Sequence, residues 1–75
     1  MGMNINNHTK QEILSFYGFE TDRLVRESER HKITAISRSQ AWKLERDGRF
    51  PPRKKLGNSS CAWLLSDLLL WCNQR

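Results

Sequence analysis

Long apolar runs are missing from this chain of 75 residues. The longest candidate, residues 62–65 and then 68–72, is interrupted by Ser66 and Asp67, so no segment is expected to span a bilayer. Residues 1–7 carry neither a basic flank nor an apolar centre, and a signal peptide is not expected there. Cysteine is scarce. Cys61 and Cys72 stand far apart and belong to no Cys-x-x-Cys set, so they read as small apolar core residues of a protein in a reducing cytoplasm. His8 and His31 are isolated, and neither sits at a metal-ligand spacing from the cysteines; no zinc site and no other cofactor is expected. A glycine-rich phosphate loop is absent too. The acidic side chains are interleaved with basic ones and do not form an acid/base couple, so the chain is not expected to be an enzyme.

Negative charge is the short side of the balance, with 8 acidic against 13 basic side chains and a net charge of +5. Its placement says more than its size. Between residues 37 and 55 the basic residues are Arg38, Lys43, Arg46, Arg49, Arg53, Lys54 and Lys55, opposed by Glu45 and Asp47 alone. That segment carries the whole +5, and the remainder of the chain cancels. Positive charge gathered on one supersecondary unit points to a polyanionic partner.

The same segment reads as a turn, a short helix and a firm stop. Ser37 is placed to cap the helix, Gly48 to end it in a left-handed conformation, and Pro51 and Pro52 to forbid its continuation. Ala41 and Leu44 share one face, while Arg38, Gln40, Lys43 and Arg46 fill much of the rest. A basic, amide-bearing outer surface suits a helix laid in a DNA major groove. There lysine and arginine meet phosphates, while arginine, glutamine and serine reach base edges.

Residues 1–8 are polar and expected to fray. Thr9-Lys10-Gln11-Glu12 has the form of a capping box, followed by Ile13, Leu14, Phe16 and Tyr17 and a stop at Gly18. So brief a helix must dock to persist, on its own chain in preference to a second protomer. Residues 21–26 form either a short strand or the entry to the next helix. Ser28 offers a cap for a helix running to about Thr34, and a turn at Ala35 and Ile36 leads to Ser37, giving a helix-turn-helix. Phe50 is expected to plug the core. Gly57-Asn58 is a two-residue hairpin turn between strands at 54–56 and 59–63. A hairpin after a recognition helix is a wing, and Lys54, Lys55, Asn58, Ser59 and Ser60 are placed on it to reach phosphates or a minor groove. A last helix begins near Leu64, with Ser66 and Asp67 in its first turn. Its leucines exceed what one small core requires, so they serve either a protein contact or the N-terminal helix.

Several phrases of the sequence resemble one family. They are Arg23-Leu24-Val25-Arg26, Thr34-Ala35-Ile36-Ser37-Arg38-Ser39, Asp47-Gly48-Arg49-Phe50-Pro51, Lys55-Leu56-Gly57, Trp63, and Ser66-Asp67-Leu68 followed by Trp71. In register and without a gap from residue 22 to about 72, they resemble the AlpA-type prophage regulators, which are similar to phage excisionases and to the DNA-binding part of MerR-type regulators. The resemblance implies a mainly α fold with a small β-hairpin, a winged helix-turn-helix that binds double-stranded DNA. Ser37, Arg38 and Ser39 would open the recognition helix. Gln40 stands where threonine is frequent, and Trp42 where tyrosine is, still able to donate to a phosphate. Lys43 is the next basic residue. Ala35 replaces the family glycine of the turn, and Leu64 and Leu65 replace polar residues.

The expected layout is a flexible N-terminus at 1–8, a short helix and linker at 9–21, and a winged helix-turn-helix at 22–75. Arg38, Gln40 and Lys43 are the expected base or near-base contacts, with Arg46, Arg49, Arg53, Lys54 and Lys55 on phosphates. The expected role is that of an excisionase working with an integrase. A transcriptional regulator of an integrase or prophage promoter is the alternative within DNA binding. A protein–protein adaptor using the leucine-rich last helix is the alternative outside it. An integrase and a second copy of the chain, joined through either terminal helix, are the protein partners this reading admits.

Overall fold

A computed structural model describes residues 9–74. The residues expected to fray, 1–8, lie outside the described part. The capping box forms: the Thr9 side chain accepts from the Glu12 amide at 3.1 Å, and Glu12 accepts from the Thr9 amide at 2.9 Å. Helix α1 (Lys10–Phe16) follows and ends before Gly18, whose φ of +86° suits glycine. Ile13 and Leu14 are fully buried, so the short helix docks on its own chain, chiefly against the last helix.

Residues 24 and 25 are a strand, β1 (Leu24–Val25). Helix α2 (Glu27–Thr34) starts two residues earlier than a cap at Ser28 would allow. Arg26 keeps the extended conformation of β1 and takes the N-cap position, and Glu27 belongs to the first turn, where its carboxylate is bound by Arg30. The turn into helix α3 (Arg38–Arg46) is made by Ala35 in the left-handed region, with φ +62°. An alanine Cβ meets a steric expense in that region that a glycine would not.

Arg30 fastens this turn. It is wholly buried, it pairs with Glu27, and it donates to the Thr34 hydroxyl at 3.1 Å and to the Ile36 carbonyl at 2.7 Å. Its guanidinium carbon lies 5.8 Å from the centre of the Trp63 ring. A buried arginine is tolerated only when its donors are occupied in this way.

Strands β2 (Lys54–Lys55) and β3 (Cys61–Leu64) form the hairpin, and β1 joins its far side, giving an antiparallel sheet in the order β1-β3-β2. Lys54 pairs with Ala62, Lys55 with Cys61, and the Leu56 amide donates to the Ser60 carbonyl at 2.8 Å. The loop is therefore one residue longer than a Gly57-Asn58 turn would make it. Neither of those residues has a positive φ, which a two-residue primed turn demands.

Helix α4 (Leu65–Asn73) begins one residue after Leu64, which ends the strand. Its N-cap supplies no side-chain acceptor, and Asp22 does so from a distance: its carboxylate accepts from the Ser66 amide at 3.0 Å and hydroxyl at 2.6 Å. Leu65, Leu68 and Leu69 are buried with Ile13, Leu14, Val25, Ala41, Phe50 and Trp63, while Leu70 and Trp71 pack on the edge of that cluster. Most of the leucines thus go to the core and to α1, while Leu64 and Leu70 stay half-buried at its edge. Phe50 is the expected plug, with its ring 4.8 Å from Trp71 and 6.5 Å from Trp63. Cys61 and Cys72 are half-buried at the core's margin, not inside it, and are not bridged to each other. This mainly α fold with a small sheet is that of a winged helix-turn-helix.

Candidate nucleic-acid interface

The recognition helix is capped as its sequence demands. The Ser37 hydroxyl accepts from the Gln40 amide at 3.1 Å, so its oxygen already serves the helix. At the other end Gly48 takes φ +73°, and the Arg49 amide donates to the Leu44 carbonyl at 2.7 Å. The Trp71 indole then donates to the Arg49 carbonyl at 2.8 Å, tying the end of α3 to α4. Ala41 is buried and Leu44 half-buried, which fixes the rotation of the helix. Arg38, Ser39, Gln40, Trp42, Lys43 and Arg46 are all exposed, and no part of residues 9–74 covers them.

These side chains do not share one spot. Residues two apart on a helix are separated by about 200°. Arg38 accordingly faces the wing, in a groove of about 810 Å³ that also takes in Trp42 and Arg53, together with Ser59 and Ser60 of the hairpin loop. Gln40 faces the other flank with Lys43. Ser39 borders both hollows. Trp42 carries Arg46 over its ring at 4.8 Å, an exposed cation–π pair on the outer face. Arg49 lies on the flank away from the wing, beside Leu44, Trp71 and Gln74.

Lys54, Lys55, Asn58 and Ser59 are exposed on the wing, and Ser60 is half-buried. Arg53 differs from its neighbours, since Glu45 of α3 holds it at 3.4 Å. That contact braces the wing against the recognition helix and offsets one of the seven positive charges. Two residues to which the sequence assigns no DNA contact, Arg26 and Ser28, also line the groove where α2 opens. Only pairing of β1 to β3 brings them there, so no local pattern marks them.

A family model described as Prophage CP4-57 regulatory protein (AlpA) matches residues 23–75. The chain is also similar to the uncharacterized protein ORF88 of Enterobacteria phage P4, with 38% identity over 50 residues that cover 67% of this chain and 57% of that protein. It thus spans less than two thirds of that relative's length. No solved structure matches. With the greater part of its length matched, the helix-turn-helix and wing included, the chain belongs to the AlpA family of prophage regulatory proteins.

Proposed function

We propose that this protein is a cytoplasmic, sequence-specific double-stranded DNA-binding regulator of a prophage or genomic island that acts as an excisionase beside an integrase. One observation carries the reading: α3 presents an uncovered outer face of Ser39, Lys43 and Arg46, flanked by Arg38 on one side and Gln40 on the other. With that face laid in a major groove about 12 Å wide, Arg38, Gln40 and Lys43 reach base edges, while Arg46 and the cations on both flanks meet phosphates of the bordering strands. Arg53, Lys54 and Lys55 serve one strand, and Arg49 the other. The Asn58-Ser59-Ser60 tip of the wing contacts phosphates or the adjacent minor groove.

Gel shifts with attachment-site DNA and random DNA test the assignment. Arg38→Ala or Gln40→Ala costs on the order of 1–3 kcal/mol on the cognate site and much less on random DNA. Equal losses on both would reduce the side chain to a backbone contact. An excision assay with purified integrase tests the role, and no stimulation by this protein sinks the excisionase version. The family description as a regulatory protein favours a second reading, control of an integrase or prophage promoter. Of the two terminal helices considered for contact between copies on DNA, the N-terminal one is favoured, because Phe16, Tyr17 and Phe19 are exposed at its end while most leucines of α4 are taken up by the core.

A further inference from the structure

The groove between α2, α3 and the wing holds more positive charge than its structural pairs consume. Two carboxylates line it, and both are engaged: Glu27 by Arg30 and Glu45 by Arg53. Arg26 and Arg38 line it as well, and neither makes a side-chain hydrogen bond or ion pair among the described residues. Arg26 is not part of the recognition helix. It stands at the junction of β1 and α2, and α2 opens there without a side-chain cap. Ser28 adds a hydroxyl to the same wall. Trp63, which also lines the groove, carries a buried indole N–H with no partner among the described residues, an environment short of acceptors.

Unpartnered guanidiniums and a hydroxyl are donors, and the ligand they suit is an anion rich in acceptor oxygens. We infer that this groove seats one backbone phosphate of the bound duplex, held by Arg26 and Ser28 from the α2 side, while Arg38 on the α3 side stays free for base edges. The inference rests on α3 entering the major groove as proposed above. A strand bordering that groove then runs between the recognition helix and the wing, past the opening of α2. Arg26 is thereby a positioning contact that sets the depth of α3 and reads no base.

The test is a salt series of gel shifts on cognate and random DNA with the full chain and Arg26→Ala, Arg26→Lys and Ser28→Ala. Each phosphate contact contributes about −0.9 to the slope of log K against log salt. Arg26→Ala is expected to make the slope shallower by about that amount and to weaken binding equally on both DNAs. Arg26→Lys keeps the slope, and Ser28→Ala weakens binding without changing it. The Arg26 side chain is exposed and unpartnered, so the melting temperature of Arg26→Ala matches that of the unaltered protein. A steep salt dependence for the unaltered protein with the same slope for Arg26→Ala overturns the phosphate seat and leaves the DNA-binding proposal standing. Absence of binding by the unaltered protein overturns both.

Discussion

Removing Arg30 should do more damage than removing any arginine of the recognition helix, although it never meets solvent. Its side chain is fully buried and satisfies the Ile36 carbonyl just before Ser37, the Thr34 hydroxyl and the Glu27 carboxylate. Arg30→Ala leaves a cavity over Trp63 and strips the turn carbonyl of its partner. Breaking a buried ion pair costs about 3–5 kcal/mol, and the lower end applies here because Glu27 is 41% exposed and regains water. For a domain of this size each kcal/mol moves the melting temperature by about 4–8 °C, so a fall of about 12–24 °C is expected in a thermal melt followed by circular dichroism. Arg30→Met separates packing from polarity. It restores most of the volume but leaves the Ile36 carbonyl unsatisfied, at about 1–3 kcal/mol. A melting temperature for Arg30→Met within a few degrees of the parent would refute the claim that this guanidinium fastens the turn.

Two further outcomes follow from the backbone and from titration. Ala35→Gly relieves a left-handed alanine at φ +62°, and after the entropy lost to a more flexible unfolded chain a gain of about 0.5–1 kcal/mol is expected in urea unfolding. Burial pushes the Asp22 carboxyl up, but the hydrogen bonds from Ser66 and Arg23 and the charge of Lys10 outweigh it and hold the group below its ordinary value of 3.8. A carboxylate depressed on folding stabilises fully above its unfolded pKa and loses that contribution as pH falls through the folded one. Asp22→Asn should therefore melt lower than the parent at neutral pH, and the gap should close below about pH 4.

Where local chemistry dictates structure, the sequence was readable. Thr9 with Glu12, Ser37, Gly48 and Phe50 each do what their types and spacing require, because caps, stops and plugs depend on near neighbours. Readability fails where a distant partner decides. Ser28 has the chemistry of a cap, but strand pairing by β1 carries the extended backbone through Arg26 and starts the helix sooner. The wing slips by one residue because pairing of Lys54 with Ala62 fixes the register, whatever turn Gly57-Asn58 favours alone. Arg30 carries no mark of its burial, since arginine usually reaches water. The division of Arg38 and Gln40 between two flanks is implicit in helical spacing, but it acquires meaning only once the wing stands beside one of them.

Helix α1 lies outside the stretch matched to the family, yet Ile13 and Leu14 are among the most deeply buried side chains of the molecule, and Lys10 is bonded to Asp67 at 3.4 Å. The recognisable unit and the cooperative unit consequently have different borders. A fragment beginning at residue 23 would retain the whole stretch matched to the family while baring leucines of α4 to water. Chimeras built by exchanging such units between prophage regulators therefore keep the leucines of α4 covered only where the leading helix travels with them.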